Sequence, residues 1–333
     1  MSGRTAGLRG RAWVDANLLQ LLLLTAAIFA LMCALVSDKF LRLYNFDSLT
    51  YIAPELGLLA LAMMVAMLTG GIDLSVIGIA NLSGILAGLF FHAIGGARGP
   101  ELTGLPVGTV AAGVGIALLT GVAAGIVNGA LIAQVRITPI LATIGSGQVF
   151  TGLCLVLTGG PAVVGYPSWW QAIGNGRFLG LAVPLWVFLG IAALVWLLLS
   201  RTVFGVTLSL IGTNAKAAVF AGLRTRRALL VSYVLTGVLA SVAGLLLSAR
   251  TNAAKSDYGV SYLLQAVLIA VLAGTNPAGG RGSVPAVALA LVALMLLSSG
   301  FQLMRFSNFL VDFIWGGFLL LVIAVNALRN RAR

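Results

Sequence analysis

Apolar residues run along this chain in blocks of about twenty, and the short stretches between them hold most of the charge. A helix of about 20 apolar residues matches a hydrocarbon core of about 30 Å. The pattern predicts ten such blocks, at about 18–36, 55–70, 74–94, 106–134, 137–158, 181–200, 228–249, 261–275, 284–300 and 308–327. The first holds only Gln20 and Thr25 as polar residues, and the last is interrupted by Asp312. Lipid offers no partners to backbone polar groups, so each block is read as a helix that satisfies its own. The expected fold is an all-α polytopic membrane protein, with the chain 1–333 as a single transmembrane domain.

Composition agrees. Hydrophobic residues make up 60% of the chain and charged residues 8%, against roughly 25% in soluble domains. The net charge of +12 would point to nucleic acid in a soluble protein, but here its distribution reads as membrane orientation and no nucleic acid is expected. An even number of spans puts both termini on one side. The basic ends, 1–17 with Arg4, Arg9 and Arg11, and 328–333 with Arg329, Arg331 and Arg333, make that side the cytoplasm. On this threading 13 basic residues fall inside and 7 outside, the latter including Lys39, Arg42, Arg98, Arg177, Arg250, Lys255 and Arg305. Asp38, Asp47, Glu101 and Asp257 leave the outer loops nearly neutral. Cys33 and Cys154 both lie inside spans, and His92 is the only histidine, which excludes a disulfide framework and a metal cluster. The opening segment resembles a signal peptide but lacks a clear cleavage site, so an uncleaved first helix is expected.

Two glycine-rich breaks interrupt the apolar pattern. In Gly70-Gly71-Ile72-Asp73-Leu74-Ser75 a carboxylate sits inside a membrane block, where an unpaired charge costs several kcal/mol. Asp73 is therefore either a functional group or a cap on the following helix. Asp312, with Arg305 as a partner, is open to the same two readings. The second break, Ala273 to Ser283, contains Gly274, Asn276, Gly279 and Gly280 but lacks the order and lysine of a phosphate loop. Neither a nucleophile elbow nor paired catalytic carboxylates are present, so the chain is not read as an enzyme and ATP hydrolysis is not expected of it.

Three further patterns remain. Gly84 and Gly88, and Gly121, Gly125 and Gly129, recur at four-residue spacing, which lets membrane helices approach closely. The outer segment 159–180 places Tyr166, Trp169 and Trp170 either in an interfacial belt or against a ligand. Uncharged polar residues within spans, Asn128, Thr143, Gln148, Thr151 and Gln265, suit a path for a neutral polar solute or hydrogen bonds between helices. The inner segment 201–227 is the longest and most basic inner stretch, ample for one or two short surface helices.

Four blocks together resemble the inner-membrane permease subunits of ribose-type ATP-binding-cassette sugar importers. They are Gly70 to Val76 with Leu82-Ser83-Gly84; Gly125 to Gly129 continuing through Pro139, Thr143-Ile144-Gly145 and Thr158-Gly159-Gly160; Gly212-Thr213-Asn214 with Ala217-Ala218 and Gly222; and Ala273 to Asn276 through Gly279 to Gly282. The resemblance covers nearly the whole chain. Ile77 intervenes before Gly78 where the family has glycine directly, and Tyr262-Leu263-Leu264 stands where ribose-like members carry Tyr-Glu-Leu. The stretch Asp257 to Leu263 is closer to the branch that imports furanosyl signals, deoxysugars or polyols.

The resemblance implies a bacterial inner-membrane permease fold that carries a sugar-like solute. It implies four kinds of partner: a cytoplasmic ATPase holding ATP and Mg2+, a periplasmic binding protein, a second permease chain of either identical or related sequence, and membrane lipid. No cofactor is implied on this chain. Residues 201–227 become the coupling loop, with Gly212, Asn214, Lys216, Ala217, Ala218 and Gly222 in its pattern and Lys216 at a position that is glutamate in the family. Arg224, Arg226 and Arg227 then pair with acidic groups on the ATPase or hold lipid headgroups. Asp73, Ser75, Asn128, Gln148 and Gln265 are the translocation-path candidates, and Gly70, Gly71, Gly274, Asn276, Gly279 and Gly280 the gating breaks. The competing expectation is an ion-coupled secondary transporter with Asp73 and Asp312 as coupling groups, since such carriers also use broken helices.

Overall fold

A computed structural model describes residues 3–95 and 104–331; Arg98, Glu101 and Arg333 lie outside them. The described chain is helical nearly throughout: α1 (Gly3–Phe40), α2 (Leu43–Leu68), α3 (Val76–Gly95), α4 (Val107–Ala133), α5 (Pro139–Thr158), α6 (Ser168–Asn175), α7 (Val183–Arg201), α8 (Val203–Phe220), α9 (Thr225–Thr251), α10 (Val260–Leu272), α11 (Val284–Leu303) and α12 (Asn308–Arg331). Two-residue strands occur only as clips, such as Val163–Val164 against Ala253–Ala254.

Contacts fix the direction of each helix. Gly121 on α4 meets the Gly237 carbonyl of α9, and Gly129 lies 2.9 Å, measured from a Cβ built on it, from the Cα of Leu230, so α4 and α9 run antiparallel. That seam exists because glycine lets the two backbones touch; any Cβ would strike the opposite main chain. Gly84 packs on Ser248 and Gly244 packs on Ala80, which makes α3 parallel to α9. Asn17 on α1 donates to the Ala273 carbonyl (2.8 Å), and the same small cleft is lined by Gly274 and by Val325 near the end of α12. The starts of α1, α9 and α11 and the ends of α2 and α12 thus share one end of the bundle, called here the terminal face.

Among the described residues ten helices are long and apolar enough to span a membrane, but they are not the ten that the pattern drew. By length and hydropathy Val203–Phe220 qualifies and Val260–Leu272 does not. Connectivity reverses that choice. The segment before α7 is held at the far face, where Arg177 pairs with Asp47 and bonds Tyr51 (3.1 Å), so α7 ends at the terminal face. Gly205 then folds back on Leu199, and α9 starts from the terminal face again. Accordingly, α8 enters and leaves on the same face and is not a crossing. α10 has 13 residues and rises only about 20 Å, with its crossing completed by the irregular segments on either side.

Three expectations need correction. α2 begins at Leu43, not near residue 55, because the polar run Asn45 to Thr50 masks a helix that continues through Pro54. Tyr166 and Trp170 form neither an interfacial belt nor a ligand surface. Both are buried, stacked 5.8 Å apart and edge-on to Phe91, with the Tyr166 hydroxyl donating to the Gly84 carbonyl (2.8 Å) and the Trp170 indole to Ser248 (3.2 Å). Only Trp169 is exposed. Asp312 is exposed, and the ion pair with Arg305 does not form among the described residues.

Candidate functional site

α2, α8 and α10 all end in the same way. In each, a glycine in the left-handed region (Gly70 at φ +80°, Gly222 at +74°, Gly274 at +81°) stops the helix and returns its amide to a carbonyl of the last turn. The next residue reaches one carbonyl further back, as in Gly71 to Ala66, Leu223 to Ala218 and Thr275 to Ala270. A side chain at these positions would be strained, so the glycines mark where the chain leaves helix geometry.

The α2 stop meets the turn that follows the α10 stop. The Gly280 amide donates to the Leu68 carbonyl (3.0 Å), and a Cβ on Gly70 would lie 3.2 Å from the Ala278 carbonyl oxygen. Asn276 shapes this turn, donating to the Gly279 carbonyl (3.0 Å) and accepting from the Ala278 amide (3.1 Å). Gly212 of α8 lies directly on the junction; a Cβ there would collide with the Leu68 oxygen and the Gly280 nitrogen. Gly279 in turn packs on Gly212, and Gly280 on Thr213. The third and fourth sequence blocks and the first are therefore in backbone contact.

α8 bends at this junction. Asn214 leaves helix geometry (φ −158°, ψ 96°) and its side chain accepts from the Ala217 amide (3.0 Å), capping the second half of the helix. Lys216, Ala217 and Gly222 are exposed, and Ala218 is buried. Val219 and Phe220 stand out from the surface, Phe220 at 90% exposure, a costly position for an aromatic ring without a partner.

One step inward from the junction, Gly71 leaves room for Pro139 of α5 (2.9 Å from a Cβ built there) and for the Tyr233 ring of α9. Thr143 then accepts from the Leu74 amide (3.1 Å) and can donate to the Ile72 carbonyl (3.1 Å), tying the break to α5. Beyond it lies a fully buried polar cluster. Asp73 accepts from the Ser75 amide (3.1 Å) and hydroxyl (2.6 Å) through one oxygen, and from the Thr236 hydroxyl (2.7 Å) through the other. Asn128 donates to Ser75 (2.7 Å). The cluster joins the break before α3 to α4 and α9, and Asp73 fixes Ser75, the residue that precedes α3, while buried among neighbours.

Gln148 and Gln265 do not join it. Gln148 is exposed on α5, between Gly145 and Gly152, which have open space around them. Gln265 is buried on α10, outside this hydrogen-bonded set. Sequence reasoning missed Thr236, which carries no motif, and Glu55. The latter is buried in α2 and makes a two-pronged pair with Arg250 of α9 (2.7 and 3.1 Å). A glutamate inside an apolar block was the available signal.

Comparison with known proteins places this arrangement. The family described as "Branched-chain amino acid transport system / permease component" matches residues 45–323. An autoinducer 2 import system permease protein, LsrD, of Yersinia enterocolitica is 32% identical over 274 residues, covering 80% of this chain and 79% of the relative. Its counterpart in Yersinia pseudotuberculosis is 30% identical over 315 residues, covering 93% and 90%. No solved structure matches. The family match takes in all the elements that build the junction and the buried cluster, and the chain belongs to this family of transport-system permease components.

Proposed function

We propose that this chain is the transmembrane subunit of an ATP-driven, binding-protein-dependent importer, carrying a sugar-like polar solute across the bacterial inner membrane. The furanosyl-signal branch is favoured, because the relatives that match along most of the chain are named as autoinducer 2 import permeases. The observation that carries the mechanism is the junction itself. A surface elbow at Gly212–Asn214 rests, backbone to backbone, on the last turn of α2 at Leu68 and on the turn Gly279–Gly280 beyond α10. A cytoplasmic ATPase that moves the elbow moves the α2 stop and the turn beyond α10, and through Gly71 and Thr143 the cluster Asp73–Ser75–Asn128–Thr236. Close backbone packing favours discrete rearrangement over continuous bending, which suits alternating access between outward- and inward-facing states. Val219 and Phe220 are the apolar anchors for the ATPase groove.

A second permease chain completes the pathway. Gln148, exposed on α5 between two open glycines, would be costly against lipid, so this face is assigned to the partner permease or the solute path. The terminal face is the cytoplasmic one in this reading. It bears Arg136, Arg201, Lys216, Arg224, Arg226, Arg227 and Arg281, in keeping with basic residues staying inside.

Gentle extraction of the tagged chain from native membranes is expected to bring a stoichiometric ATPase with it, and Gly222→Asp is expected to release that ATPase. A well-folded chain recovered alone, with uptake indifferent to ATP, would overturn the reading. Sidedness is checked separately. A cysteine placed at Lys255 is expected to react with an impermeant maleimide in cells with a permeabilised outer membrane, and one at Lys216 only after lysis. The opposite labelling would invert the topology.

A further inference from the structure

The terminal face carries a cleft of about 600 Å³ beside the elbow, and its polar lining is four arginines and Thr225. Arg224, Arg226 and Arg227 come from the start of α9, and Arg136 from the turn between α4 and α5. Among the described residues none of the four makes an ion pair. Of the described acidic side chains, only Asp73 belongs to this half of the bundle, and it is fully buried. Four like charges around one concavity repel each other unless an anion sits between them.

Two features sharpen the chemistry. Arg136 holds a left-handed backbone (φ +67°), a conformation that costs a non-glycine residue energy. The turn therefore presents a guanidinium where glycine would be easier. Val135 and Ile137 on either side of it are exposed, as are Ile140 and Leu141 on the first turn of α5. The cleft thus borders an apolar surface, with its cations at the rim. Guanidinium groups bind phosphate oxygens in pairs, and the first turn of α9 adds amide donors that no side chain caps.

We propose that this cleft binds a phosphate anion, supplied by the headgroup of an acidic phospholipid whose chains lie along Val135 to Leu141. Basic pockets on the inner side of membrane bundles hold such headgroups. Val219 and Leu223, at the end of α8 and just after it, line the same cleft. An occupied cleft therefore braces the end of α8 next to its ATPase surface.

The test uses the full chain in nanodiscs of phosphatidylcholine with a minor share of phosphatidylglycerol, reading retained lipid by native mass spectrometry. Wild type is expected to hold phosphatidylglycerol selectively, and the double variant Arg136→Gln/Arg226→Gln to hold it about 30-fold less tightly. Arg136→Lys/Arg226→Lys, which keeps the charge, is expected to retain most of the binding and so controls for folding. Equal retention in wild type and the glutamine variant would overturn the proposal. So would an equal loss caused by Arg305→Gln on the far face, or an unchanged lipid signal with loss of the co-purifying ATPase. If wild type shows no lipid preference but is stabilised by millimolar inorganic phosphate, and the glutamine variant is not, the anion site stands and its source is soluble.

Discussion

Gly212→Ala is expected to cut solute uptake by about 30-fold while leaving the ATPase bound. The smallest possible side chain is enough, because its Cβ already occupies the space of the Leu68 carbonyl and the Gly280 amide. Both obstacles are backbone, so neither can turn aside as a side-chain tip would. The elbow must lift, and the Gly280-to-Leu68 hydrogen bond at 3.0 Å lies in the same gap. Losing that contact removes about 2 kcal/mol of coupling, the upper range for residues between two linked sites, which converts to the stated factor. The exposed surface from Lys216 to Gly222 is untouched, so ATPase co-purification and basal ATP hydrolysis should persist without transport. Gly222→Ala is the informative control: it is strained by its positive φ but meets nothing within 4 Å. It should cost about 1 kcal/mol of local stability and little coupling. Uptake by Gly212→Ala within twofold of wild type would show that the junction does not transmit the movement.

Much of this frame was legible along the chain. Apolar blocks gave the number of crossings, and the glycine spacing of Gly121, Gly125 and Gly129 announced a close helix seam. The elbow was legible as part of the longest and most basic inner stretch, although Val203–Phe220 as a whole is long and apolar enough to span a membrane. What could not be read was convergence. Gly70, Gly212 and Gly280 are separated by 142 and 68 positions, and glycine carries no chemistry that announces its neighbour. Tyr166 and Trp170 show the converse failure. Aromatic residues in a glycine-rich loop have the composition of an interfacial belt, and only the fold of α6 against α9 turns them inward onto Phe91 and Ser248. Thr236 lay in an apolar helix with nothing to set it apart, because its partner Asp73 is 163 residues away. The family relationship favours ATP coupling over an ion-coupled carrier.

Glu55→Ala should be the most destabilising single charge removal in the chain. Glu55 is 1% exposed and meets Arg250 through both of its oxygens, whereas Arg250 keeps part of its side chain in contact with solvent. Removing the carboxylate leaves a guanidinium half-buried against α2 with no counter-charge, at a cost of about 3 kcal/mol. The partial exposure of Arg250 holds the figure at the low end of what breaking a buried pair costs. Asp47→Ala, which breaks the exposed pair with Arg177, should cost well under 1 kcal/mol. The measurement is thermal unfolding of the purified chain in detergent, followed by a fluorescent thiol probe that reacts with Cys154 as it becomes exposed. The pair also holds the far end of α2 against α9, the helix that carries Thr236 and lies on the α4 seam. If its role is attachment alone, the apolar double replacement Glu55→Leu/Arg250→Met should restore the unfolding midpoint and transport together, since a well-packed apolar pair can replace a buried ion pair at no loss. Recovery of the midpoint without recovery of transport would assign the pair a part in the movement itself. A midpoint for Glu55→Ala no lower than that of Asp47→Ala would refute both roles.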